Sequence, residues 1–246
     1  MSLKIGLNLS RYYSINFDPQ KRSKKLIKFI IIHYTGMKKE SNAIQRLTDL
    51  KSKVSAHYFI KNNGEIINLV PELFEAWHAG KSRWKSIQSL NRYSIGIEIN
   101  NPGHLNGYRK FFLNQIFSLK KLLRHLSKKY KIKNDNVLGH SDIAPERKKD
   151  PGEKFPWNDL AKARLCKWHS LKVNEIKKFR NEKLSKNDQI IFMDNLYKIG
   201  YSKIDKKILK KNRVFVVKAF QRRYRQDLIS GKIDKECFLI SKNLKK

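Results

Sequence analysis

A chain of 246 residues with 40% hydrophobic and 11% aromatic content can bury a proper core, which excludes disorder as the default state. It carries 55 Lys and Arg against 21 Asp and Glu, a formal charge of +34 that draws it towards polyanions but does not define a fold. No apolar run approaches membrane-spanning length, and the opening stretch MSLKIGLNLSRYYSINF lacks the apolar core and small-residue cleavage site of an export signal; the expected address is the cytoplasm, with the periplasm as the alternative.

The first strongly apolar run, residues 26–32, ends in His33 and reads as a central strand covered on both faces. A short helix is expected over 41–50 and a strand over 56–60. Asn62, Asn63, Gly64 and Glu65 then supply a hairpin turn into a strand over 66–70. After a loop rich in Trp, Ser and Lys, residues 94–99 form another buried strand, in which Glu98 stands where an apolar residue belongs and needs a partner or a chemical task.

Residues 111–130 place Ile116, Leu119, Leu122, Leu123 and Leu126 at helical spacing, so a long amphipathic helix packs on the sheet. A short strand around Val137 and Leu138 leads to His140, followed by SDIAPERKKDPGEKFPW, whose prolines and glycine forbid regular structure for most of its length. Residues 171–185 read as a polar, basic connector, and helices over 188–199, 211–224 and 235–244 make a small three-helix module. The expected fold class is α/β, a buried mixed sheet flanked by helices, with a catalytic region over 1–170 and the helical module over 186–246. Cys166 and Cys237 lie far apart, without metal-type spacing, and are expected as free thiols.

His33 and His140 each close an apolar strand, and Asp150 lies ten residues past the second inside a constrained Pro/Gly loop. Two imidazoles and one carboxylate are the three-ligand set of a catalytic zinc site that keeps a position open for water. Zinc is therefore the expected cofactor, with His33, His140 and Asp150 as its ligands.

The stretches IIIHYTGM, AWHAGKSRW, LNRYSIGIEINNPGH and LGHSDIAPERKKDPGEKFPW resemble the type-2 N-acetylmuramoyl-L-alanine amidases, above all the AmpD and AmiD group. The likeness runs over residues 14–168, in order and at the right separations. It implies zinc on His33, His140 and Asp150, Glu98 as the acid/base carboxylate, and Lys148 as the cation beside the developing oxyanion. It also implies a substrate groove in which Tyr34, Trp77, His78 and Trp84 form the wall and Asn91, Asn100 and Arg147 make polar contacts. His57 matches a position that is not a ligand and is read as a core histidine; His104, His125 and His169 receive no role. Some phage-type relatives carry Tyr before the residue matching His57 and Cys as the third ligand. Here those positions are Ala56 and Asp150, which favours the Glu98 version of the chemistry. LAKARLCKWHS departs from close relatives, which tend to have glycines there, without touching the ligand set.

The C-terminal stretch resembles, more loosely, a three-helix peptidoglycan-binding module, through Gly200 and Tyr201, Phe220 and Gln221, and the run Gly231, Lys232, Ile233 and Asp234. The implied activity is hydrolysis of the amide between N-acetylmuramic acid, or its anhydro form, and the stem peptide, in peptidoglycan turnover or recycling. The implied partners are peptidoglycan or muropeptide fragments, with no nucleic acid and no membrane insertion. Two other classes are an inactive wall-recognition protein, which would have lost zinc ligands, and a polyanion binder. The lysines come with no RNA-recognition, helix-turn-helix or zinc-finger pattern.

Overall fold

A computed structural model describes residues 12–202 and 209–245. The first eleven residues, and with them most of the segment read for an export signal, lie outside the described residues, as does Lys203 of the LYKIGYSK stretch. In chain order the elements are β1 (Phe17–Asp18), β2 (Phe29–Tyr34), α1 (Glu40–Thr48), β3 (Tyr58–Ile60), β4 (Ile66–Asn68), β5 (Glu75–Ala76), β6 (Arg83–Trp84), β7 (Ile87–Gln88), β8 (Ser94–Ile99), α2 (Leu113–Tyr130), β9 (Val137–Gly139), α3 (His140–Ile143), α4 (Trp157–Lys162), α5 (Val173–Lys177), α6 (Lys186–Ile199), α7 (Leu209–Tyr224) and α8 (Lys235–Leu244).

The main sheet has five strands in the order β4-β3-β8-β2-β9, parallel except for the β3-β4 hairpin. The expected α/β architecture is present, with the apolar run around β2 at the centre. That strand starts later than its hydrophobicity suggests, because Ser23 caps a 3-10 turn over Lys24–Leu26 and draws Leu26 out of the sheet. The hairpin turns at Gly64, whose φ of +89° suits a residue without a Cβ.

Strand alternation divides β2 between two cores. Ile30 and Ile32 face one side with Ile95, Ile97, Ile99 and the apolar face of α2; Phe29 and Ile31 face the other with Leu138. An apolar sheet face must be covered. Here the cover over the second side comes from Trp84, Phe192, Leu196, Val217, Phe220, Ile240 and Leu244, so the C-terminal helices and the sheet share one core. Within 171–185, α5 adds the buried Ile176 to that core, while Arg180 pairs with buried Glu236 at 2.7 Å.

Candidate active site

The carboxyl ends of β2, β8 and β9 meet at one edge of the sheet, the place where open α/β sheets build their sites. His33 is the penultimate residue of β2 and stands in register with Glu98 on β8. His140 follows β9 directly as the first residue of α3. The loop after α3 returns Asp150 to both: its Oδ2 lies 3.0 Å from His33 Nδ1 and 3.1 Å from His140 Nδ1, and the two Nδ1 atoms are 2.9 Å apart. All three residues are buried.

The outer hydrogen bonds fix which ring nitrogens carry protons. Ser94 donates its hydroxyl to the Leu90 carbonyl at 2.5 Å, so its oxygen accepts from His78 Nε2 at 3.2 Å. His78 Nδ1 is then a lone pair and accepts from His33 Nε2 at 3.1 Å, which leaves His33 Nδ1 without a proton. His140 Nε2 donates to the Ala79 carbonyl at 3.1 Å, so its Nδ1 is also a lone pair. Two lone pairs and a carboxylate thus converge with no proton between them, an arrangement that repels itself unless a cation sits among the three. Ligands at about 2.0–2.1 Å around a tetrahedral metal lie roughly 3.3 Å apart, close to the observed triangle. Burial, reinforced by His140, lowers the His33 pKa to about 4 and keeps the ring neutral, as a metal ligand must be. The residues fit a metal ion.

Glu98 points into the same cleft. One of its carboxylate oxygens, Oε2, is fully buried and has no hydrogen-bond partner among the described residues, although the residue as a whole is only half-buried. Burial first, and the charge of Asp150 second, push its pKa up to about 8, which suits a group that must take and return a proton near neutrality. A cation between His33 and Asp150 acts in the opposite direction, so the buried oxygen is poised by two opposing influences.

The cleft holds about 460 Å³ and is lined by Tyr34, Trp77, His78, Glu98, Arg147 and Lys148 together with the three ligands. Of the residues expected in the groove, three serve elsewhere. Trp84 is only 2% exposed and packs edge-on against Tyr201 at 5.0 Å, under the C-terminal helices, because the β6-β7 hairpin turns its large ring into the shared core. Asn91 Oδ1 accepts from the backbone N–H groups of His78 and Ala79 at 3.2 and 2.6 Å. Asn100 is fully buried and holds the loop after β8 through Thr35 and Asn62. Arg147 does line the cleft, yet its guanidinium clamps the carbonyls of Ala79 and Lys81, both at 2.6 Å. His78 lies at the floor of the cleft as the partner of His33.

His57 is the buried core histidine expected of it, accepting from the Gly96 N–H through Nδ1 at 2.9 Å. His104 is a residue that the sequence reading left without a role. It lines the cleft, bonds the Tyr34 hydroxyl at 2.8 Å and reaches Glu153 at 3.1 Å. Its place in the NNPGH stretch, inside a loop bounded by Pro and Gly at the end of a site strand, was the available signal. Cys166 and Cys237 are free and buried.

Strand ends that present two proton-free imidazoles and a carboxylate beside a raised-pKa glutamate define a metal-dependent hydrolase. The family model for N-acetylmuramoyl-L-alanine amidases matches residues 22–153. AmiD of Escherichia coli is 34% identical over 230 residues, covering 89% of this chain and 82% of that protein. AmpD of Haemophilus influenzae, a 1,6-anhydro-N-acetylmuramyl-L-alanine amidase, is 41% identical over 106 residues, 43% of this chain and 55% of that protein. A solved structure of E. coli AmiD, in complex with the substrate anhydro-N-acetylmuramic acid-L-Ala-D-gamma-Glu-L-Lys, superposes with a TM-score of 0.77 at 32% identity, covering 92% of this chain and 91% of that one. The chain belongs to the N-acetylmuramoyl-L-alanine amidase family.

Proposed function

We propose that this chain cuts the amide between the lactyl group of N-acetylmuramic acid, or of its 1,6-anhydro form, and the L-alanine that begins the stem peptide, with zinc as the metal. The observation that carries this reading is the meeting of three proton-free donor atoms beside the unpartnered carboxylate oxygen of Glu98. The substrate named for the E. coli AmiD complex supports the bond chosen, and two imidazoles with one carboxylate are a donor set that zinc takes in hydrolases. His33 and His140, through Nδ1, and Asp150, through Oδ2, would hold it. Bound zinc supplies Lewis acidity, polarising a carbonyl and acidifying water.

The remaining work falls to the chain's own groups. Glu98 takes a proton from the attacking water and returns it to the alanine nitrogen as the C–N bond breaks, a transfer for which a pKa near the working pH is the optimum. Lys148, on the cleft wall, faces the negative charge that gathers on the lactyl carbonyl oxygen. Tyr34 and Trp77 offer flat surface to sugar or peptide. The C-terminal helices, read as wall-binding, raise the local concentration of wall beside the cleft.

Mass spectrometry of the products from sacculi and, separately, from soluble anhydro-muropeptides tests this. The expected result is free stem peptide beginning in L-alanine, lost on chelation and recovered with zinc. Preference for the soluble substrate goes with recycling in the cytoplasm, and preference for sacculi with wall remodelling in the periplasm. Release of no stem peptide from either substrate by the zinc-loaded protein would overturn the reading.

A further inference from the structure

A buried ion pair ties the C-terminal helices to the segment that carries a metal ligand. Arg223 on α7 is 2% exposed, and its Nη1 lies 2.6 Å from Asp142 Oδ2 while Nη2 donates to the Val137 carbonyl of β9 at 3.0 Å. The guanidinium also stacks over the Trp157 ring, 4.2 Å from its centre. The other oxygen of Asp142 accepts from the Tyr201 hydroxyl at 2.8 Å, so both carboxylate oxygens are held from the C-terminal region. Asp142 is itself 1% exposed.

Asp142 sits two residues after His140, on the same short α3, and its Oδ2 also accepts from the Gly139 N–H immediately before His140 at 2.8 Å. The carboxylate therefore brackets the ligand on both sides in sequence. Between them, the Ser141 N–H donates to the Asp150 carbonyl at 2.8 Å, which links the same turn to a second ligand. A four-residue helix has little stability of its own. Its geometry is imposed by what grips it, and a metal ligand misplaced by a fraction of an ångström loses affinity.

We infer that Arg223 and Tyr201 are positioning residues for the metal site: through Asp142 they fix the α3 turn so that His140 and Asp150 present their donor atoms to one ion. The C-terminal helices then belong to the construction of the active site as well as to any wall contact. This rests on the metal-site reading above but not on the identity of the substrate.

The test is zinc affinity, measured by competition with a chromophoric chelator, on folded full-length variants. Arg223→Met is expected to weaken zinc binding about ten- to a hundredfold, the range for loss of an outer-sphere partner, with kcat of the zinc-saturated protein lowered and KM little changed. It also strands the buried Asp142 charge and so lowers stability. The double variant Arg223→Met, Asp142→Asn relieves that charge; recovery of the urea midpoint without recovery of zinc affinity separates positioning from mere stabilisation. Tyr201→Phe keeps the ring in the core and removes one bond to Asp142, and a loss of zinc affinity of several-fold is expected even if Arg223→Met does not fold. Zinc affinities that follow the urea midpoints, or that stay at the parent value in Tyr201→Phe, would overturn the inference. Because zinc affinity needs no substrate, a parent protein that binds zinc but cuts no muropeptide overturns the amidase reading and leaves this one standing.

Discussion

Gly96→Ala tests how the sheet holds the metal site. Gly96 lies on β8 beneath the ring of His78, and a Cβ placed there would sit 2.4 Å from His78 Cγ and 2.7 Å from its Nδ1. Carbon atoms in contact prefer about 3.5–4.0 Å, so the ring must retreat by roughly 1 Å. That retreat takes the 3.1 Å bond from His33 Nε2 to His78 Nδ1 out of hydrogen-bonding range and releases the constraint on the His33 tautomer. The expected effects are a stability loss of ~1–3 kcal/mol from overpacking and a zinc affinity about ten- to a hundredfold weaker. Urea unfolding of the chelator-treated protein gives the first, and chelator competition the second. In a His78→Ala background the space is already open, so adding Gly96→Ala should cost little in either measure. Equal losses in both backgrounds, or parent zinc affinity in Gly96→Ala alone, refute the reasoning.

Glu98→Gln should lower kcat about 10²–10⁴-fold while zinc affinity is kept, and stability should hold or rise, because an unpartnered buried carboxylate oxygen is replaced by a neutral group; steady-state kinetics beside calorimetry checks it. Asn91→Leu removes the acceptor that steadies the His78 and Ala79 amides and should weaken zinc binding by several-fold, whereas Asn91→Asp keeps the acceptor and should stay near the parent value. Glu72 accepts from Tyr58 at 2.5 Å and from Lys129 and Tyr130; burial alone would raise its pKa, but these donors outweigh it and hold the carboxyl below its ordinary value. Its stabilising effect is complete above the unfolded pKa of about 4.5 and is lost as pH falls through the lower folded value, so Glu72→Gln should show a shallower loss of urea midpoint below that pH than the parent does.

The sequence discloses the site best where a residue violates the pattern around it. His33 and Glu98 stand in otherwise apolar strands, and burial there is so unfavourable for a polar group that a chemical role follows almost directly. Helices α2, α6 and α7 were legible for the related reason that amphipathic spacing marks the face that must be covered. Trp84, Asn91 and Asn100 were not placed correctly, since whether an aromatic or an amide faces a cleft or the interior depends on which distant segment arrives above it. For Trp84 that segment is the one carrying Tyr201, more than a hundred residues along the chain. The small strands β1, β5, β6 and β7 have two residues each, too few to show an alternation. Helix α3 was hidden in a stretch read as irregular, because four residues gripped at Asp142 require no helical periodicity.

The arrangement of the ligands draws widely separated parts of the chain to one point. Because β2 lies between β8 and β9, the ends of three adjacent parallel strands bring His33, Glu98 and His140 together without a long loop. Orientation is then supplied from outside the sheet by two neighbouring residues: His78 accepts the proton of His33, and the Ala79 carbonyl accepts that of His140. Asn91 fixes the backbone of this pair from below, and Arg147 holds the same Ala79 carbonyl from the loop that delivers Asp150. Each imidazole is therefore set by the sheet in position and by the 78–79 segment in tautomer. A metal site built this way draws its donors from the sheet and from the loop that carries Asp150, and on the inference above its geometry from the C-terminal helices as well, so metal affinity is a sensitive report on how these parts fit together.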